Sequence, residues 1–293
     1  MDNYIYSAII EQNINIIKSF LKEKYIDINL QDNNGNTPLH LAIMGQNIEI
    51  IELLLKESNI DINLPNKYGD TCIYIAIIDQ NIDIIKLLLR KNNIDINELT
   101  LLHLAIKTKN IEIIKLLLEE NTIDINKTNN NGLTVLHLAI YEQNINIIEL
   151  LLKQKNININ IKNKYGFTPL HTTILNKNIE IIKLLLKQNT IDINLQNNDG
   201  NTPLYIAVII QNIEIIKLLL KQNNIDINLI DNNGNTPLHN IVLNENIEII
   251  ELLLKEKNIN INIKNKYGDT CLDYAIRKQN IEIIKLFNFY ILK

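Results

Sequence analysis

"DNNGNTPLHLAIMGQNIEIIELLLKESNIDIN", residues 32–63, carries four local signals in a fixed order. Asn34-Gly35 supplies the positive φ values that a tight hairpin turn needs. Thr37 stands where a helix N-cap belongs, and Pro38 follows at the first helical position, where its missing N–H is no loss. Leu39, Ala42 and Ile43 put apolar groups on one face of a short first helix. Gln46-Asn47 breaks that helix and leaves Asn47 to cap the next. The second helix, "IEIIELLLKE", is apolar on most sides except a strip with Glu49, Glu52 and Lys56, so it must pack against several neighbours. "IDIN" then alternates apolar and polar residues, as an extended arm burying one face does. The predicted unit is hairpin, helix, helix, arm.

The unit recurs through the whole chain of 293 residues. Its threonine returns at Thr37, Thr71, Thr100, Thr134, Thr168, Thr202, Thr236 and Thr270, in steps of 34 residues except one of 29. A degenerate unit fits ahead of Thr37. The expected organisation is a single array over 1–293, with units near 3–36, 37–70, 71–99, 100–133, 134–167, 168–201, 202–235, 236–269 and 270–293. The short step falls in "IDINELTLLHLAI" (94–106), where the hairpin is missing between Asn97 and Thr100. It reads either as neutral loss of a loop or as a gap that admits a partner.

A period of 34 residues also fits tetratricopeptide repeats, but those have no hairpin, and their Trp and Gly-Tyr positions have no counterpart here. The chain instead resembles the ankyrin repeat family over its whole length, through "NGNTPLHLAI" (34–43), "NGLTVLHLAI" (131–140) and "IEIIKLLLKQNNIDIN" (213–228). The resemblance implies an all-α solenoid of about nine stacked helix-turn-helix units with short β-hairpin fingers. It implies that the Thr and His of Thr37/His40, Thr100/His103, Thr134/His137, Thr168/His171 and Thr236/His239 hydrogen-bond within and between loops, while Ala lets the helices approach. It also implies a protein-binding module whose partner lies on a concave face of finger tips and first helices.

Three departures stand out. The family's Gly between the two helices is replaced by Gln12, Gln46, Gln80, Lys109, Gln143, Lys177, Gln211, Glu245 and Gln279. The Gly after the second helix is absent, with an extra residue, often Asn, offered as its left-handed substitute. Tyr6, Tyr74, Tyr205 and Asp273 replace His, which predicts less regular loops in those units.

No composition or motif points to catalysis. A net charge of −4 with both signs interspersed gives no basic stripe for nucleic acid. The longest apolar runs, such as "YIAVII" (205–210), are far short of a membrane span. The first residues carry no secretory signal pattern, and only Cys72 and Cys271 are cysteines, so a soluble cytoplasmic or nuclear monomer is expected. Equivalent histidines lie about 8–10 Å apart from unit to unit, too far to share a zinc ion at about 2.0–2.1 Å. Cys72 and Cys271 are likewise too far apart to bridge. No Walker loop, Gly-x-Ser-x-Gly elbow or His-Glu-x-x-His pair occurs, so the expectation is no enzyme, no cofactor, no metal and no catalytic residue. The Ile/Asn alternation of "NININIKN" (156–163) is ascribed to biased composition.

The residues free to meet a partner are the two before each finger Gly, the one after it, and the two after each first helix's Ala-Ile pair. Asn33, Asn34, Asn36, Lys67, Asp70, Lys107 and Thr108 predict a polar surface in units 2 to 4. In units 5 to 8 these positions hold Leu133, Tyr141, Tyr165, Phe167, Leu175, Ile209, Ile210 and Leu243, an apolar set that predicts a partner-binding patch. The chain's heavy Ile bias is the competing explanation. The expected function is an adaptor, scaffold or inhibitor that binds a protein. A composition rich in Ile, Asn and Lys is also compatible with an effector that a parasite or virus deploys inside a host cell.

Overall fold

A computed structural model describes residues 3–23, 27–91, 93–95, 101–120 and 122–291. Among these residues eighteen helices form and no strand. The chain divides into two compact units, 1–127 and 128–293. The first holds α1 (Asn3–Ile10), α2 (Ile14–Phe20), α3 (Pro38–Met44), α4 (Ile48–Leu55), α5 (Cys72–Ile78), α6 (Ile82–Leu89), α7 (Leu101–Thr108) and α8 (Ile111–Glu119). The second holds α9 (Val135–Tyr141), α10 (Ile145–Leu152), α11 (Pro169–Leu175), α12 (Ile179–Leu186), α13 (Pro203–Ile209), α14 (Ile213–Leu220), α15 (Pro237–Leu243), α16 (Ile247–Leu254), α17 (Cys271–Arg277) and α18 (Ile281–Ile291). Within each unit the odd-numbered helices pack side by side, and each even-numbered helix packs on the odd one before it.

The core lies between these two layers. Ile50, Ile51 and Leu54 of α4, Ile84, Ile85 and Leu88 of α6, and Ile215, Ile216 and Leu219 of α14 are wholly buried. Each such side chain contributes about 1.5–3 kcal/mol by leaving water. A seven- or eight-residue helix is far too short to persist alone, so each repeat depends on its neighbours.

The N-cap expected at threonine forms. Thr37 Oγ1 accepts from His40 N at 3.4 Å, and His40 Nδ1 accepts from Thr37 N at 3.1 Å. The imidazole then reaches onward, with Nε2 at 3.1 Å from Asp70 O in the next finger. His137, His171 and His239 make the same link to Phe167 O, Asn201 O and Asp269 O at 3.0–3.2 Å. A carbonyl accepts only, so Nε2 carries the proton and the ring is neutral. At three of the four positions where His is replaced, another side chain makes a bond. Tyr6 Oη donates to Leu30 O and Tyr205 Oη to Asp231 Oδ2, both at 2.7 Å, while Asp273 Oδ2 accepts from Thr270 N at 2.8 Å. Tyr6 and Tyr205 thus reach the loop that follows, whereas Asp273 closes only its own helix cap.

The fingers are turns rather than β-hairpins among the described residues. Gly35 N donates to Asp32 O and Asp32 N to Asn36 O, both at 2.9 Å. The remaining donors, Asn34 N and Asn36 N, go to the Asp32 carboxylate at 2.7 and 2.8 Å, so a side chain takes the place of a strand ladder. Only Gly35 is left-handed, at φ 77°, so the expectation for Asn34 was wrong. This is a type I turn closed by a left-handed glycine, not a two-residue turn. Gly35 also has no room: a Cβ there would lie 2.7 Å from Lys67 N, which donates to Asn34 O at 3.0 Å.

Between the paired helices, all nine Gln, Lys or Glu residues sit at φ 50–60°. Among the described residues no inserted Asn after a second helix is left-handed. The left-handed residue ends the first helix in a Schellman motif: Gln211 N donates to Val208 O at 3.0 Å and Asn212 N to Ala207 O at 3.1 Å. Asn212 at once caps α14, accepting from Ile215 N at 3.1 Å. None of the nine is β-branched, as a left-handed position demands. The side chains offset part of the strain. Asn47 Nδ2 donates to Gln12 Oε1 at 3.0 Å and Asn246 Nδ2 to Gln211 Oε1 at 2.9 Å, joining one repeat to the next.

The arm asparagines form a second ladder, which replaces the reading of "NININ" as biased composition. Asn194 Nδ2 donates to Asn224 O at 2.7 Å while its Oδ1 accepts from Asp226 N at 2.9 Å. Asn29, Asn63, Asn160 and Asn228 do the same one repeat on. Some ion pairs also run between repeats, namely Lys18–Glu49 and Lys86–Glu112, both 3.4 Å, and Lys278–Glu245 at 3.1 Å.

Three measurements check this account. A left-handed non-glycine residue costs about 1–2 kcal/mol, less about 0.4–1 kcal/mol of extra unfolded-chain entropy for Gly. Lys177→Gly is therefore expected to raise stability by about 0.5–1 kcal/mol in urea unfolding, and Gln211→Gly by less, because it loses the Asn246 bond. Asn194→Ala is expected to cost about 1–2 kcal/mol and to speed hydrogen exchange at the Asp226 amide. Burial lowers the His171 pKa from 6.5 to about 4. The unfolded chain therefore binds the extra proton, and stability falls as pH drops from 6.5 toward 4. At pH 5 the loss from this one ring is about 2 kcal/mol. Melting temperature is expected to fall between pH 7.5 and 5, with a shallower slope in His171→Gln.

Candidate protein-binding face

In 128–293 the first helices α9, α11, α13 and α15 each end one residue beyond a buried pair. Ala139-Ile140, Thr173-Ile174, Ala207-Val208 and Ile241-Val242 all face inward. One further step of about 100° along the helix turns the next side chain outward. Tyr141, Leu175, Ile209 and Leu243 are accordingly 48, 44, 42 and 41 % exposed. Their helices α9, α11, α13 and α15 are packed neighbours, so the four lie in one row at the helix-packing spacing of about 8–10 Å. Tyr165 is exposed on a finger tip, where Lys164 Nζ lies 5.7 Å above its ring.

The other three expected patch residues are not free. Leu133 and Phe167 are half-buried because the residue after the finger Gly returns toward the helix cap. Their amides donate to Asn129 Oδ1 and Asn163 Oδ1 at 3.1 and 3.0 Å, and the Phe167 ring lies 5.8 Å from that of His171. Asn36 at the same position is buried, taking a bond from Asn66 Nδ2 at 3.2 Å. Ile210 is the half-buried C-cap of α13, so the row has one outward residue per repeat rather than two.

The surface of 1–127 is less polar than expected. Asn33, Asn34, Lys67 and Lys107 are exposed as expected, but Ile10, Met44 and Ile78 occupy the row position there and are exposed too. The apolar row is therefore a property of the repeat, and Lys107 interrupts it. The fingerless stretch 97–100 lies outside the described residues.

Two clefts open beside the row in 128–293. One of about 360 Å³ is lined by Asp199, Tyr205, Ile209, Asp231 and Asn240 among others. Burial and the adjacent Asp231 carboxylate push the Tyr205 phenol well up. The larger, about 550 Å³, is lined by Leu243, Tyr267, Asp269, Tyr274, Arg277 and Lys278. Of these, the sequence pointed to Leu243 alone. The available signal was that the row position changes from apolar to Arg at residue 277.

Nucleophile chemistry finds little support. His40, His137, His171 and His239 spend both ring nitrogens on the cap and the next finger. Cys72 and Cys271 are buried, and burial pushes the Cys271 thiol up to about 12, where little thiolate exists near neutral pH. Among the described residues no group of three or more His, Cys, Asp or Glu is placed to hold a metal ion, and no helix is long and apolar enough to cross a membrane.

The comparisons agree with this architecture. The family model described as "Ankyrin repeats (3 copies)" matches residues 5–100, 93–163, 156–231 and 212–289. The crystal structure of EF0377, an ankyrin repeat protein, is similar at 28 % identity and TM-score 0.57, over 65 % of this chain and 98 % of that one. The ankyrin repeat domain of Bcl-3, a member of the IkappaB protein family, shares the fold at 24 % identity and TM-score 0.64, over 74 % of this chain and 99 % of that one. No curated protein gives a significant match. With family matches running from residue 5 to residue 289 and the repeat's cap, turn and paired helices all formed, the chain belongs to the ankyrin repeat family.

Proposed function

We propose that this protein is a non-enzymatic adaptor, scaffold or inhibitor that binds a protein partner through the outward row Tyr141, Leu175, Ile209 and Leu243, with the Tyr165 finger tip beside it. Ankyrin repeats bind protein partners, and one observation carries the choice of face. Four large apolar side chains on consecutive packed helices remain exposed while the residues just before them fill the core. A contiguous apolar surface of this kind marks interaction sites on soluble proteins, and a tyrosine among aliphatic neighbours is a common anchor. Two free, buried cysteines suit a binding module inside a cell, in the cytoplasm or nucleus.

The double variant Tyr141→Ala/Ile209→Glu tests the reading. Both side chains are exposed, so the melting temperature is expected to move by less than the equivalent of about 0.5 kcal/mol per site. Binding to the proteins captured by the unmodified chain is expected to fall by about 2 kcal/mol or more, roughly thirtyfold. Lys67→Glu, on an exposed finger of 1–127, is expected to leave capture unchanged. An early-melting double variant would show those side chains to be core, and undiminished capture would move the binding face elsewhere.

A further inference from the structure

The row of outward residues changes character once within 128–293. At the position of Tyr141, Leu175, Ile209 and Leu243, helix α17 carries Arg277. Its guanidinium is held from two sides. Nη2 donates to Asp269 Oδ1 at 2.7 Å, and the group lies 5.9 Å from the centroid of the Tyr274 ring. The side chain is nevertheless 66 % exposed. A guanidinium has five N–H donors in a planar fork, and this bond to one carboxylate oxygen leaves most of them available.

Beside that fork lies the cleft of about 550 Å³, walled by Leu243 and the rings of Tyr267 and Tyr274. Lys278 also borders it, but its ammonium is engaged by Leu243 O at 2.8 Å and Glu245 Oε1 at 3.1 Å. The site therefore combines apolar walls large enough for one bulky side chain with a single oriented, accessible cation at its edge.

We propose that this cleft recognises a partner protein segment in which a large apolar side chain is followed one or two residues later by Asp or Glu. The apolar side chain enters between Leu243 and the two tyrosines, and the carboxylate takes the open donors of Arg277. Charge complementarity selects this occupant. A basic segment would face Arg277 across the mouth of the cleft; of the nearby carboxylates, Asp269 is already bonded to that arginine and Asp273 accepts from Thr270. The inference rests on the reading of this face as the partner-binding surface and adds what it reads.

Selection of a random peptide library displayed on phage against the full chain tests it. Peptides fused through their C-termini carry no free terminal carboxylate, so any acid selected is a side chain. The expected result is enrichment of Leu, Phe, Tyr or Met followed within two residues by Asp or Glu. A synthetic peptide of the enriched sequence is expected to bind Arg277→Ala about tenfold or more weakly, at unchanged melting temperature. Arg277→Lys, which keeps the charge without the fork, is expected to fall between the two. Asp269→Asn removes the competing internal carboxylate and is expected to bind the same peptide several-fold more tightly, an effect no purely structural role for Arg277 produces. Enriched peptides without an acid, or peptides indifferent to Arg277→Ala, overturn the inference. If those peptides are lost in Tyr141→Ala/Ile209→Glu, the face stands and only its specificity is wrong. If they are indifferent to both changes, both readings fall. Absence of any enrichment also overturns the inference, since the cleft then lacks affinity for the segment assigned to it.

Discussion

In four repeats a buried imidazole that donates to the carbonyl closing the next finger ties the repeat's cap to its neighbour. At His40, His137, His171 and His239 one ring closes the N-cap of its own helix through Nδ1 and fixes the following finger through Nε2. That bond sets the position of the next helix's start. Because each first helix is seven or eight residues long, its last residue arrives at the same place one repeat later. The outward row at Tyr141, Leu175, Ile209 and Leu243 is a consequence of that registration. A neutral ring is required throughout, which makes the tie sensitive to acid.

Around this bond the chain has substituted amide chemistry for glycine. Nine left-handed residues without glycine would be a heavy penalty if nothing offset them. Gln12, Gln80, Gln143 and Gln211 accept from the cap asparagine of the next repeat, and the lysines cannot, so the strain is unevenly compensated. The arm asparagines add bidentate bonds to the neighbouring backbone. A composition rich in Asn and Gln is thus built into the inter-repeat contacts, where each amide has a donor and an acceptor to offer and neighbouring backbone groups need both.

The binding face inherits this geometry. Residues that return from a finger toward a cap are drawn into hydrogen bonds, which is why Leu133 and Phe167 are half-buried. Tyr141, Leu175, Ile209 and Leu243, which end first helices, stand outward. The replacement of an apolar residue by Arg277 at the last such position gives the face a polarity that the hydrophobic row alone lacks.

The sequence by itself determined the repeat, its period, the threonine caps, the histidine ties and the family, because each is a local signal repeated many times over. It also placed four of the eight patch residues in the outward row and a fifth on an exposed finger tip. Only the tertiary structure decided which positions were free. Asn36, Leu133, Phe167 and Ile210 look exposed by their place in the repeat, yet the neighbouring finger or the helix end covers them. The left-handed residue was likewise misplaced onto Asn34 and the inserted Asn, because propensity favours Asn there. The backbone instead puts Gln, Lys and Glu at that conformation, since closing a helix within three residues of the next one's cap leaves no other choice. Contacts between repeats are not written in any one repeat, and they alone set burial.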